Sequence, residues 1–234
     1  MNGSDDSALQ STPADLAGLV STARGILPPS SALEACRISA CDQEPLPQEV
    51  PYIARAVKKR RQEFVAGRSC ARSALAKLGF TAGAIRVGPS REPIWPEGVV
   101  GSITHDGDYC LAAAERSDHL RGIGIDLTES VELDLDLIDM ICATEERASA
   151  AALADGQMVP FKTIFCIKES VYKCLFPLVR QFFDFRDVAV ELDPRTQSAS
   201  VRLLNRQLFG RMEAHLRCAF RTWNGYTFSA VWLP

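Results

Sequence analysis

No run of apolar residues in this sequence approaches the roughly 18 that a membrane-spanning helix requires, which excludes a transmembrane helix. Histidine is scarce, with three in 234 residues. No two of the eight cysteines form a C-x-x-C pair. Cys36, Cys41, Cys70, Cys110, Cys142, Cys166, Cys174 and Cys218 therefore read as reduced thiols, mostly small buried groups, and not as the chemistry. A basic excess is lacking too. Twenty-six Lys and Arg stand against 29 Asp and Glu, which argues against a dedicated nucleic-acid binder. The start, Met1-Asn2-Gly3-Ser4-Asp5-Asp6, is acidic where a secretory signal is basic. Together these absences predict a cytoplasmic protein with neither a membrane nor a nucleic-acid partner.

What is present is an ordinary globular profile, 47% hydrophobic and 24% charged. The length fits one large domain or two small ones sharing an interface. Residues 1–12 are polar and predicted to be disordered, and 13–27 read as a weak helix. The prolines at 45, 47 and 51 mark a connection to a basic helix over 51–78, with Phe64, Ala71, Ala74, Leu75 and Leu78 on one stripe. A proline-rich loop, 88–96, leads to strands at 99–104, 110–114 and 122–127. Thr144 is a predicted N-cap for a helix ending at Gly156, and a further helix runs from Pro160 to Leu175, stopped by Pro177. The rest reads as strands at 187–192, 199–204 and 227–233. Both halves close on similar turn-plus-strand segments, 107–113 and 224–230. The expected fold is therefore α+β, with subdomains over 13–120 and 121–234. That duplication also predicts a monomer that supplies its whole cleft.

Four constellations carry chemistry. Along the strand 122–127, alternation sends Ile123, Ile125 and Leu127 into a core and Gly122, Gly124, Asp126 and Thr128 to the other face. Two glycines and a carboxylate read either as a tight strand crossing with an incidental Asp or as a hard-cation site open to phosphate. In the helix from Pro160, Glu169 and Lys173 are four apart, either an exposed ion pair or a metal ligand beside a phosphate-neutralising amine. Lys58, Lys59, Arg60, Arg61, Arg68 and Arg72 form a solvated face or a surface for a polyanion. Ser102, Thr104 and His105, at a strand end, can receive phosphate oxygens or act as turn residues. Together they describe a pocket for a phosphate-rich small molecule and a divalent cation.

These residues resemble the 4′-phosphopantetheinyl transferase superfamily, in the branch of Sfp and enterobactin synthetase component D. The matching blocks are Lys59–Arg68, Pro93-Ile94-Trp95-Pro96 leading into Gly101–His105, Gly124-Ile125-Asp126, and Lys168–Lys173. Asp126 and Glu169 stand 43 residues apart, and the two blocks that hold them are specific jointly, not singly. The resemblance implies two α+β halves related by a pseudo-twofold axis, with the active site between them. It implies transfer of the 4′-phosphopantetheine arm of coenzyme A to a serine of an acyl or peptidyl carrier protein, with release of adenosine 3′,5′-bisphosphate.

By the same resemblance, Asp126 and Glu169 hold Mg²⁺, with Mn²⁺ as the alternative ion. Arg60, Arg68 and His105 contact coenzyme A phosphates, Lys173 meets the pyrophosphate, and Arg91 approaches the nucleotide end; Ser102, Thr104 and Lys168 complete the candidate coenzyme A-binding residues. The serine proton goes to Glu169 or to Glu145. Thr128 stands where many relatives carry a second acid, so its hydroxyl or a water completes the coordination, or else the protein is a non-catalytic coenzyme A-binding regulatory module. A third reading is a nucleic-acid binder using the basic helix, against which the acidic pI counts. Kinship with this branch points to siderophore, polyketide or nonribosomal peptide pathways.

Overall fold

The computed structural model describes residues 13–81, 83–153, 159–210 and 212–234. The expectations for residues 1–12 and for a helix end at Gly156 fall outside them. In chain order come α1 (Pro13–Arg24), β1 (Ala32–Arg37), α2 (Val50–Ile53), α3 (Lys58–Lys77), β2 (Val99–Asp106), β3 (Tyr109–Arg116) and β4 (Gly122–Glu129). Then follow α4 (Leu135–Ile141), α5 (Thr144–Ala151), α6 (Pro160–Val179), β5 (Val188–Asp193), β6 (Ser198–Leu203), α7 (Arg206–Phe209), β7 (Arg217–Trp223) and β8 (Tyr226–Leu233). No helix among the described residues is long and apolar enough to cross a membrane.

The strands form two antiparallel sheets, a three-stranded one ordered β1-β3-β2 and a five-stranded one ordered β4-β8-β7-β6-β5. The architecture is α+β, as expected. Each sheet carries a 20-residue helix on one face, α3 on the first and α6 on the second. Alanine and cysteine positions on β3 let Ala66, Cys70, Ala71 and Ala74 of α3 pack close to the strand. The inner faces of both sheets share a core with α1, built on Leu19, Leu33, Leu111, Ile123, Ile125 and Phe228.

Several elements differ from the sequence expectation. The first long helix starts at Lys58, not Pro51, because the chain breaks after the short α2. β1 and β7 fall where no strand was expected, and α4 was not foreseen. The N-cap of α5 is Ala143, whose backbone N–H donates to Glu146 Oε2 (2.7 Å). α6 continues through Pro177 to Val179 and ends at Arg180 in the left-handed region. The proline sits in the last turn, so it costs only the hydrogen bond to the Lys173 carbonyl.

The two sheets also meet along a seam made by side chains. Ser102 Oγ accepts from the Ile125 N–H (3.0 Å), Thr104 Oγ1 from Leu127 N–H (3.0 Å), and Asp106 Oδ2 from Glu129 N–H (2.6 Å). Every second residue of β2 thus satisfies every second amide of β4, whose other edge is paired with β8. An open strand edge is closed without a backbone ladder.

Candidate active site

The site begins with the glycines of β4. A Cβ at Gly124 would lie 1.9 Å from the Ser170 carbonyl oxygen, and one at Gly122 would lie 2.6 Å from that of Cys174. What approaches the bare strand is therefore α6 itself. Helix and strand touch backbone to backbone, and this brings Glu169 and Lys173 of α6 alongside Asp126. Lys173 Nζ donates to Asp126 Oδ1 (2.6 Å) and to the Ile125 carbonyl (3.2 Å). The lysine thus pairs across the interface, not with Glu169 one turn away as the helical spacing allowed.

Thr104 donates a second hydrogen bond to Asp126 Oδ1 (3.0 Å), so the carboxylate is held from two elements. Its Oδ2 has no hydrogen bond among the described residues. Glu169 is half-buried; burial pushes its carboxyl above the ordinary value and Asp126 pushes it further, against the pull of Lys173. Two carboxylates that repel each other, with one amine between them, are a donor set that a hard divalent cation suits. Thr128 is buried two residues beyond Asp126, on the same face of the strand.

Glu169 and Lys173 form one wall of a cleft of about 570 Å³, with Arg60, Arg68, Arg91 and His105 opposite. Arg60 is exposed and donates to His105 Nε2 (3.1 Å), which makes that nitrogen an acceptor and places the ring proton on Nδ1. Burial, with help from Arg60 and Lys173, holds His105 below its ordinary pKa, so the ring is neutral at pH 7. Arg68 is buried, donates to the Ile85 carbonyl (2.8 Å) and lies over the Phe64 ring (4.5 Å). Its burial brings the guanidinium pKa to about 10, still charged at neutral pH. Arg91 has a φ of 70°, a left-handed conformation at the tip of the 88–93 loop.

Trp95 also lines the cleft, and its Nε1 is the one buried side-chain polar atom without a partner among the described residues. Gly101 makes room for it: a Cβ there would meet the indole at 2.5 Å. An unpaired buried donor in a cleft wall awaits an acceptor. Its signal in the sequence was the lone tryptophan in the proline-rich loop.

Not every expected residue joins this group. Thr104 spends its hydroxyl on Leu127 and Asp126, so it supports the site and does not receive phosphate, and Ser102, although it lines the cleft, has its hydroxyl engaged with the Ile125 backbone. Lys168 points into the core, 1% exposed, and its amine donates to Glu146 Oε2 (2.8 Å) and to the carbonyls of Ile141 (2.8 Å) and Phe185 (3.0 Å). All three of its protons are used, and a phosphate contact is excluded in this arrangement. Glu145 lies on the exposed side of α5 and lines a separate pocket, away from Glu169. Arg72 is taken up by the buried Glu49 (2.9 Å). Of the six-cation run, Arg60 and Arg68 reach the cleft.

The comparisons bear on both halves of this site. Residues 48–115 match the 4′-phosphopantetheinyl transferase N-terminal domain model, and residues 122–227 match that of the 4′-phosphopantetheinyl transferase superfamily. The 4′-phosphopantetheinyl transferase PptT of Mycobacterium tuberculosis is 38% identical over 164 residues, covering 70% of this chain and 72% of that protein. The chain belongs to the 4′-phosphopantetheinyl transferase superfamily.

Other relatives in the superfamily agree. The 4′-phosphopantetheinyl transferase Npt of Nocardia iowensis is 37% identical, over 65% of this chain and 68% of that one. Enterobactin synthase component D of Escherichia coli K12 is 34% identical, over 57% of this chain and 64% of that one. Among solved structures, a Thermotoga maritima holo-[acyl-carrier-protein] synthase overlaps 49% of this chain and 63% of that chain at 17% identity, with a TM-score of 0.37, too slight to carry an argument.

Proposed function

We propose that this protein transfers the 4′-phosphopantetheine arm of coenzyme A to a serine of an acyl or peptidyl carrier protein. The observation that carries the reading is the meeting of Asp126, Glu169 and Lys173 at the α6–β4 contact, facing Arg60, Arg68 and His105 across one cleft. Membership of the superfamily supports the reaction class. In the reaction, the serine oxygen forms a bond to the pantetheine-side phosphorus of the pyrophosphate. The bond from that phosphorus to the bridging oxygen breaks, and adenosine 3′,5′-bisphosphate leaves with the electron pair.

Such a transfer asks the protein mainly for positioning and for neutralising charge. Arg60, Arg68 and Lys173 supply positive charge, and neutral His105 supplies a directed Nδ1–H. Arg91 and Trp95 Nε1 stand where further ligand oxygens or ring nitrogens arrive. Asp126 and Glu169 would hold a divalent ion, Mg²⁺ in this reading and Mn²⁺ as the alternative, with the Thr128 face beside it. When bound, that ion neutralises pyrophosphate charge. Glu169 also takes the serine proton in this reading, since it lines the cleft beside Lys173 where the hydroxyl arrives. The same reading divides the chain near residue 120 into two subdomains and has the protein acting as a cytoplasmic monomer.

On the other side of Glu169 lies a second cavity of about 630 Å³, which shares Glu169 and Tyr172 and is lined by Phe182, Phe183, Phe185 and Met140. Phe182 and Met140 are exposed. This groove, in which Asp184 and Arg186 accompany the aromatic rings, is where we place the approaching carrier protein, because Glu169 lines both it and the cleft.

The test is intact-mass spectrometry of an apo carrier protein incubated with coenzyme A and this protein, in Mg²⁺ or in EDTA, with Asp126→Ala and Glu169→Ala alongside. The expected result is a phosphopantetheine increment that needs Mg²⁺ and disappears in both variants. Coenzyme A binding by calorimetry with no increment on several carriers would overturn the reading in favour of a non-catalytic binding module.

A further inference from the structure

Behind the arginine-bearing wall of the cleft, α3 covers a cluster of thiols that the proposed transfer does not use. Cys36 on β1 and Cys110 on β3 are cross-strand partners. Cys70 of α3 reaches down to them, with its Sγ 3.4 Å from Cys36 Sγ and 3.8 Å from the Cys110 carbonyl oxygen. Cys41, on the loop after β1, also lies within hydrogen-bonding reach of Cys36. Four thiols from three separate segments thus converge at one point.

Their surroundings differ in a useful way. Cys70 and Cys110 are buried, while Cys36 and Cys41 are half-exposed. Cys110 and Cys70 direct hydrogen bonds at Cys36 and hold its thiol below the ordinary value. Contacts with Cys110 and then with Cys36, together with burial, raise the pKa of Cys70. Thiolate character and access together decide which cysteine an oxidant meets first: access admits Cys36 and Cys41, and of these two burial raises the Cys41 thiol while the Sγ of Cys70 lies against Cys36. No group of three or more cysteine, histidine or carboxylate side chains among the described residues is arranged to hold a metal ion, so the cluster is not built as a metal site.

We propose that Cys36 and Cys70 form a peroxide-responsive dithiol that closes reversibly to a disulfide between β1 and α3. In the first step the Cys36 sulfur attacks one oxygen of a hydroperoxide, the O–O bond breaks, and a sulfenic acid forms as hydroxide leaves and takes up the thiol proton as water. In the second, the Cys70 sulfur attacks the Cys36 sulfur, the S–O bond breaks, and the departing hydroxide leaves as water with the Cys70 proton. Two thiols lose two electrons, and one hydrogen peroxide becomes two waters. Closure draws the sulfurs from 3.4 Å to a bond of about 2 Å, a small displacement for a helix resting on alanines. The link fastens the helix that carries Arg60 and Arg68, and the proposal does not depend on the transferase reading.

The experiment treats the full-length protein with stoichiometric hydrogen peroxide, then counts thiols in denaturant and maps linked peptides by mass spectrometry. The expected result is a loss of two of the eight thiols, a Cys36–Cys70 linked peptide pair, and full recovery with dithiothreitol. Cys70→Ser is expected to stop at a Cys36 sulfenic acid that dimedone traps, whereas Cys41→Ser still closes the link. An unchanged thiol count, a link joining Cys36 to Cys41 or Cys110, or a two-thiol loss that persists in Cys36→Ser overturns the proposal. The wild-type map decides the question even if a variant does not fold.

Discussion

Replacing Gly124 by alanine is the sharpest test of how the site is assembled. The new Cβ would start 1.9 Å from the Ser170 carbonyl oxygen and 2.6 Å from the Cys174 amide nitrogen. Both neighbours are backbone atoms of α6, so no side chain can rotate out of the way. Restoring an ordinary contact of 3.4 Å moves that part of the helix by about 1.5 Å. Overpacking of this kind costs about 1–3 kcal/mol, and a backbone clash belongs at the upper end. At about 2–4 °C per kcal/mol for a chain of this size, the melting temperature falls by roughly 6–12 °C. The same movement lifts Glu169 and Lys173 from Asp126, and a misplacement of about 1 Å lowers rate by roughly 100-fold. Differential scanning calorimetry and the carrier-modification rate read the two effects separately. Gly83→Ala is the control, because a Cβ there meets nothing within 4 Å. A Gly124→Ala protein that melts and turns over like wild type would refute the claim that the bare strand face positions the site.

Three other expectations follow from single side chains. Thr104→Val removes the donor to Asp126 and the acceptor of the Leu127 amide, costing about 1–3 kcal/mol; it should also raise the Mg²⁺ concentration needed for half-maximal activity, and an unchanged Mg²⁺ titration would show that Thr104 does not position the acid. Lys168→Met leaves the buried Glu146 carboxylate without its counter-charge and should cost about 3–5 kcal/mol in urea unfolding. The coenzyme A affinity of the folded fraction should stay unchanged, and a large loss would return Lys168 to the phosphate site. Glu169 has its carboxyl raised by burial, so the folded protein holds that proton more tightly than the unfolded chain and loses stability as pH rises through the titration. Glu169→Gln should therefore melt higher than wild type at pH 7 without metal, and the gain should vanish below the ordinary carboxylate range; the same gain at pH 3 would contradict burial of charge as its origin.

Much of the site was legible because its residues obey simple spacings. Strand alternation put Asp126 with Gly122 and Gly124, and one helical turn joined Glu169 to Lys173. What alternation does not supply is the occupant of the glycine face, which is α6. The reading of Lys168 as a ligand went wrong at a point the sequence did contain: it lies four residues after Ile164, three before Val171 and seven before Leu175, on the buried stripe of α6. A lysine on an apolar stripe needs an acid beneath it, and Glu146 sits in a short helix whose placement depends on tertiary contacts. Ser102 and Thr104 likewise alternate with Gly101, Ile103 and His105, which turns their hydroxyls to the β4 backbone although Ser102 still lines the cleft. β1, with the sequence ALEACR, and β7, with RCAFRTW, escaped notice because neither alternates cleanly or contains a β-branched run. The strand character of β1 comes from β3, a partner distant in sequence, whereas β7 is the first arm of a hairpin with β8 across the Asn224-Gly225 turn.

The hydroxyl and carboxylate seam between β2 and β4 has a consequence for how this protein can vary. A backbone ladder can be changed only by shifting register, which turns every side chain over. A seam of side chains can be adjusted rung by rung, since replacing Ser102 alters only its bonds to Ile125 and replacing Asp106 only those to Glu129 and Gly107, with both sheets left intact. The middle rung is different, because Thr104 grips Leu127 and Asp126 at once. How firmly the halves are joined and where the acid stands are therefore a single adjustable quantity, open to selection or design without touching any group that meets the substrate.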